Sequence, residues 1–144
     1  WRRWVGRADI VLLEGWCEGS KAEPQADLLL PVNSLEASED DALVWRRYVN
    51  DCLAGEYASL FQRLDLLVML KAPSMQQVRQ WRQLQEHRLA QREQGSGLMS
   101  AEQLERFIQH YERTTLAALA EMPGRADYLL ELNADHGVQA VSLG

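Results

Sequence analysis

The arrangement of apolar residues limits this chain most tightly: its strongly hydrophobic runs are short, unbroken and separated by helical patterns. Asp9 to Glu14 (DIVLLE) holds consecutive aliphatic residues and stops at Gly15. Asp65 to Ala72 (DLLVMLKA) is stopped by Pro73, and Asp127 to Leu132 (DYLLEL) gives way to a loop, Asn133-Ala134-Asp135-His136-Gly137. Continuous apolar character, rather than strict alternation, is what a parallel strand covered on both faces requires. Runs this short also occur within buried helices, but the flanking Gly and Pro favour strands.

The intervening segments read as helices. Ser38, with Asp41 following, predicts a helix to about Leu53, with Trp45, Tyr48, Val49 and Cys52 at helical spacing and Gly55 at its end. A shorter pattern follows at Tyr57, Leu60, Phe61 and Leu64. Ser74 and Gln77 form a capping-box pattern for the longest helix, which runs without Gly or Pro to Gln94. A Gly95-Ser96-Gly97 break comes next. Ser100 and Gln103 repeat the box, and Leu104, Phe107, Ile108 and Tyr111 give that helix an apolar face as far as Glu121, before Pro123-Gly124. Glu18 to Asn33, with Pro24 and Pro31, reads as an excursion from the sheet edge. Strands alternating with helices predict one α/β domain, a sandwich with parallel strands.

Charge and composition narrow the function. The formal charge is -6, and the Lys and Arg residues are interleaved with acids, which argues against a nucleic-acid partner. Cys17 and Cys52 form no C-x-x-C pair and the three histidines are unclustered, which argues against structural zinc. Two reduced, partly buried thiols in a cytoplasmic protein are expected. No apolar run approaches the roughly 20 residues that span a bilayer, and Trp1-Arg2-Arg3-Trp4 begins no signal peptide. The chain opens without Met and in mid-pattern, so a longer parent protein is expected.

The stretch D-I-V-L-L-E-G-W, residues 9 to 16, carries the clearest chemistry. In open α/β sheets ligands gather at the carboxyl ends of strands, where Glu14 falls. A carboxylate there can hold water on Mg²⁺ or orient an attacking hydroxyl. Gly15 lets the backbone turn close to a ligand. The plain alternative is a solvated strand end. A phosphate-cradling G-x-x-x-x-G-K-[ST] loop is absent from these 144 residues. Gly19-Ser20-Lys21 lacks an upstream glycine at the required spacing, and no helical pattern follows it.

Taken in order, D-I-V-L-L-E-G-W-C, P-V-N-S-L, L-D-L-L-V-M-L-K-A-P-S, V-R-Q-W-R-Q-L-Q-E-H-R, G-L-M-S-A-E and F-I-Q-H-Y-E-R resemble glycerate kinases of the plant and fungal type and their bacterial relatives. The resemblance covers nearly the whole chain. It implies the C-terminal portion of a single P-loop kinase domain over residues 1–144, an α/β parallel-sheet P-loop NTPase sandwich of which only the C-terminal strands and lid helices are present. The lid spans about residues 74–122. The phosphate loop and catalytic base would lie in a preceding portion, and strand order in this class would leave the strands at Asp9 and Asp65 without their shared neighbour. The implied activity is ATP-dependent phosphorylation of a small-molecule hydroxyl, with glycerate the leading acceptor and ATP and Mg²⁺ as cofactors.

Residue by residue, the resemblance places Glu14 at the Mg²⁺ ion, through water, and at the transferred phosphoryl group. Arg82 joins it as a catalytic residue on the lid. Gly15, Arg79, Arg88, Asp135 and His136 fall on the nucleotide side, and Trp16 and Asn33 on the acceptor side. Lid arginines stabilise charge in a loose transition state. Each has a plain alternative: arginines interleaved with Glu86 and Glu93 make a solvated helix face, His136 a surface turn residue, and Trp45 and Trp81 core anchors. A nucleoside- or pantothenate-like acceptor, or a non-catalytic nucleotide-fold interaction module, would also be compatible with these residues.

Overall fold

The structure, a computed structural model, describes residues 5–92 and 99–144. The Gly95-Ser96-Gly97 break and the opening Trp1-Arg2-Arg3-Trp4 lie outside the described residues. Helices α1 (Ser34–Glu39), α2 (Val44–Cys52) and α3 (Ala58–Phe61) precede strand β1 (Val68–Lys71). Two long helices follow, α4 (Met75–Arg92) and α5 (Ala101–Glu121), and then strands β2 (Tyr128–Leu132) and β3 (Val138–Leu143).

The two long helices begin where the capping residues put them. Ser74 Oγ accepts the Gln77 amide at 3.2 Å. At α5 both halves of the box form: Ser100 Oγ accepts from Gln103 N at 3.1 Å, and Gln103 Oε1 accepts from Ser100 N at 2.9 Å. The predicted helix from Ser38 is instead two helices. Asn33 caps α1 by accepting the Glu36 amide, and the chain then turns through Leu43 at φ 59. Asp40 starts α2 by accepting the Trp45 and Arg46 amides at 3.0 and 3.2 Å. Gly55 does not end this helix. It sits in a π-helical turn, Leu53–Tyr57, that runs on into α3.

The sheet has the order β1-β2-β3 and is mixed, not wholly parallel. β1 and β2 are parallel, with Val68 opposite Tyr128 and Lys71 opposite Glu131, and the last pair is joined by an ion pair at 2.8 Å. β3 was not foreseen and runs antiparallel to β2. Asn133 makes the hairpin: its side-chain oxygen accepts from Asp135 N and Gly137 N, and its amide donates to Gly137 O at 2.8 Å. Met69, Met122 and Ala126 form one core cluster with Leu119 and Leu129 around it. Met75, Leu104 and Ile108 form a second, between the long helices.

The predicted strand at Asp9 to Glu14 pairs with no strand among the described residues. Its side chains are open, Ile10 being 88% and Leu12 87% exposed. A strand forms only where a neighbour supplies hydrogen-bond partners, and none of the described residues does so here. One face of β1 is also open, with Leu70 at 64% exposure, so the sheet is not covered on both faces within this chain. Apolar surface of this extent is a self-association hazard. Residues 1–144 as an isolated polypeptide are therefore expected to bind a hydrophobic dye strongly and to sediment as mixed oligomers. A monomer with one cooperative unfolding transition would overturn this.

Buried charge fastens the early helices to α5. Arg113 Nε and Nη2 donate to the two Glu36 carboxylate oxygens, both at 2.8 Å, and Nη2 also reaches Leu30 O at 2.6 Å. Glu36 accepts the Val32 amide at 2.9 Å and lies 3.5 Å from Arg46 Nη1, while Arg46 Nε donates to Asp40 at 2.9 Å. Burial pushes the Asp40 carboxyl upward, but the amides of Trp45 and Arg46 and the Arg46 guanidinium outweigh it. Asp40 is therefore held below its usual range. Asn50 closes the excursion by exchanging two hydrogen bonds with the Glu23 backbone, at 2.7 and 3.0 Å.

Candidate functional site

α5 is the organising element, because two of its faces receive residues from distant parts of the sequence. On one face, Trp16 stacks against Tyr111 with ring centroids 5.4 Å apart and planes 16° from parallel. The indole Nε1 donates to Thr115 Oγ1 at 2.9 Å, and Thr115 in turn donates to Tyr111 O at 2.7 Å. Thr115 therefore uses its one proton on its own helix and offers its oxygen to Trp16. Phe107 packs beside Tyr111 at 5.0 Å, and the Arg82 guanidinium lies over the Phe107 ring at 5.2 Å. The spacing Phe107, Tyr111, Thr115 is i, i+4, i+8, which stacks these residues on one helix face.

The adjoining face is ionic. Glu112, buried, accepts from Arg79 Nη2 at 2.7 Å and from Asn33 Nδ2 at 3.0 Å. Asn33 also donates to Gln109 O at 2.9 Å, and Arg79 pairs with Glu105. Burial pulls the Arg79 guanidinium downward, but Glu105 and Glu112 outweigh it and raise it above its ordinary value. The Arg79 hydrogen bond is the main cause that holds Glu105 below the usual carboxylate range. Arg79 thus ties α4 to α5.

Farther along α4, Trp81 stacks on His136 with centroids 4.4 Å apart and donates its Nε1 to Ala134 O at 2.7 Å. His136 holds a left-handed backbone at φ 65 in the β2–β3 turn. Trp81, Arg82, Gln85, Arg88, Leu89 and His136 line one open concavity. Arg82 spends one nitrogen on Gln85, and its buried Nε has no partner among the described residues. Glu86 turns inward and accepts the Met99 amide at 2.7 Å, so the α4 acids are not all a solvated face.

The structure therefore gathers Trp16, Asn33 and Arg79 around α5, and Arg82, Arg88 and His136 around one concavity, with Arg82 common to both. Asp135 is exposed at the hairpin tip. Glu14 and Gly15 are exposed, and Glu14 is two residues before Trp16, so their Cα atoms lie within about 7 Å. Gly19 sits at φ 74, and a Cβ there would come within 2.9 Å of Leu67 Cδ1, while a Cβ at Gly15 would meet the Glu18 side chain at 2.8 Å. Sequence reading missed Glu105, Glu112 and Thr115 as partners. It read Phe107 and Tyr111 as part of the apolar face of α5, and Phe107 does pack against the core cluster there. Among the described residues no group of three His, Cys, Asp or Glu side chains is placed to hold a metal ion, and no helix is long and apolar enough to cross a membrane.

No family model matches the chain. It is 36% identical over 104 residues to the uncharacterized kinase mug58 of Schizosaccharomyces pombe, which takes in 70% of this chain and 35% of that protein. Its fold matches D-glycerate 3-kinase from Cryptococcus neoformans var. grubii with a TM-score of 0.72 at 18% identity, over 96% of this chain and 51% of that one. The chain thus spans about a third of the curated relative and half of the solved one. Its mixed α/β architecture of a three-stranded sheet and helices is a kinase-like fold. Within that class the chain is glycerate kinase-like, the resemblance its motifs carry.

Proposed function

We propose that this chain is the lid-bearing C-terminal portion of a P-loop kinase that transfers the γ-phosphoryl of ATP to a hydroxyl of a small cytoplasmic metabolite, with glycerate the leading acceptor. The observation that carries this reading is the joining, on α5, of the E-G-W turn to the lid arginines: Trp16 stacks on Tyr111 while Arg82 lies over Phe107 one turn away. A phosphoryl-transfer site requires a metal-side carboxylate and phosphate-side cations to be held in fixed relation. Mg²⁺ needs only one or two carboxylates beside phosphate and water, and the exposed Glu14 fits that demand. When bound, the metal would supply positive charge that offsets the charge developing on the phosphates.

On this reading Arg82 and Arg88, in the concavity with His136, take the phosphate and nucleotide side. Asp135 and His136 border the base, and Gly15 leaves room at the turn. Trp16 and Asn33 face the acceptor. Arg79 exchanges Glu105 and Glu112 for phosphate when nucleotide enters. The phosphate loop and the base that takes the hydroxyl proton come from another part of a longer polypeptide. Neither a nucleic acid nor a membrane surface is required.

The open apolar surface at Ile10, Leu12 and Leu70 favours a second reading, an interaction module without catalysis. A coupled assay of the natural full-length polypeptide with ATP, Mg²⁺ and D-glycerate separates the two. Turnover with glycerate well above that with nucleosides or pantothenate-like acceptors is expected. Turnover with another acceptor would keep the kinase and move the substrate. No ATP consumption with any of them would leave the interaction module.

A further inference from the structure

We propose that Phe107 and Tyr111 are positioning residues: they form an aromatic ladder that makes the seating of Trp16 and the placement of the lid arginine Arg82 one event. The inference rests on the kinase reading above, and goes beyond it by assigning a role to two residues that act through Trp16 and Arg82 rather than on metal or phosphate themselves.

The ladder is continuous. Arg82 lies 5.2 Å from the Phe107 centroid, Phe107 lies 5.0 Å from Tyr111, and Tyr111 lies 5.4 Å from Trp16. Its two ends belong to segments about 65 residues apart in sequence, the E-G-W turn and the lid helix α4. The Trp16–Tyr111 joint is a flat stack at 16° and the Phe107–Tyr111 joint is tilted at 48°; both are geometries in which aromatic rings hold preferred offsets, as a guanidinium does over a ring. The Trp16 end is pinned a second time by its hydrogen bond to Thr115. Arg82, by contrast, gives one nitrogen to Gln85 and holds its buried Nε without a partner among the described residues, on a side chain laid over Phe107. A guanidinium oriented in this way and short of partners is preorganised for phosphate oxygens.

The outer two rings are not sealed into the core. Phe107 packs against the Met75, Leu104 and Ile108 cluster, whereas Tyr111 is 37% and Trp16 40% exposed. A stripe that served packing alone would bury its largest rings first. Here Tyr111 and Trp16 stay open along one side. Moving Arg82 onto a phosphate must therefore press on Phe107, and through Tyr111 on Trp16.

The test uses the natural full-length polypeptide labelled with 5-fluorotryptophan, with the Trp16 fluorine resonance assigned by its loss in Trp16→Phe. The probe is Mg²⁺ with a non-hydrolysable ATP analogue. In the unmodified protein and in Tyr111→Phe, which keeps the ring, the Trp16 resonance is expected to shift as nucleotide saturates. In Tyr111→Leu the shift is expected to fall severalfold. Its acceptor KM should rise and kcat fall by roughly tenfold, with the KM for ATP little changed. Phe107→Leu breaks the ladder at its other joint and should give the same pattern, which covers the case in which Tyr111→Leu fails to fold. An unshifted Trp16 resonance in a protein that turns over, or Tyr111→Leu and Phe107→Leu behaving like the parent in both readouts, overturns the ladder alone. A protein that neither turns over nor responds to nucleotide at any tryptophan overturns the ladder and the kinase reading together.

Discussion

Replacing Arg113 with Met is expected to cost the natural full-length polypeptide about 3–5 kcal/mol of stability, the range for stripping one partner from a buried ion pair. The reason lies in what remains behind. Glu36 is 6% exposed and receives two 2.8 Å hydrogen bonds from Arg113. Without them its carboxylate keeps only the Val32 amide and an Arg46 contact stretched to 3.5 Å. Arg113 also satisfies the carbonyls of Asp27 and Leu30, which hold the excursion before α1. The loss is therefore shared by Glu36 and two backbone oxygens, and it loosens the whole Glu18–Asn33 segment from α5. Denaturant unfolding of the variant measures it. The double variant Glu36→Gln/Arg113→Met should recover part of the loss, because a neutral amide is cheaper to leave in that site than a carboxylate. A change under about 1 kcal/mol in the single variant would mean that water reaches Glu36 and that the network fixes geometry without supporting stability.

How much of this was legible in the sequence depended on whether the signal was local. Capping chemistry was: Ser74, Ser100 and Gln103 start α4 and α5 where the pattern placed them. The apolar runs at Asp65 and Asp127 became β1 and β2 in parallel register because each found the other as its neighbour. The run at Asp9 has equal apolar character and forms no strand, because pairing depends on a neighbour and no residue in the run can encode one. β3 was missed through the opposite failing. Its run VQAVSL is apolar only in part, broken by Gln139 and Ser142, and all exposed, and it exists because Asn133 closes a tight hairpin. At the site, the resemblance named Trp16, Asn33, Arg79 and Arg82, but it could not supply Glu112 or Thr115. Those two are recognised only when residues 33, 79 and 16 arrive at α5 from three separate segments.

Glu14→Gln in the natural full-length polypeptide is expected to lower kcat on the order of 10²- to 10³-fold, about 2.7–4 kcal/mol in the barrier, while leaving nucleotide affinity within severalfold. The substitution keeps shape, removes the charge and replaces one acceptor oxygen with an NH2 donor. A charge matters most where charge develops, so the loss should fall on the chemical step more than on binding. The structure adds a geometric reason to look at this carboxylate first. Glu14 is held within about 7 Å of Trp16 by chain length alone, and Trp16 is fixed to α5 by a stack and a hydrogen bond. Raising the Mg²⁺ concentration then separates its two possible duties. If Glu14 holds the metal through water, excess Mg²⁺ restores a good part of kcat in the variant. If it orients the attacking hydroxyl, Mg²⁺ restores nothing, and the deficit follows the acceptor instead. Unchanged turnover would remove Glu14 from the reaction altogether. The metal-side carboxylate would then have to come from outside this chain, with the lid arginines and the aromatic face of α5 as its share of the site.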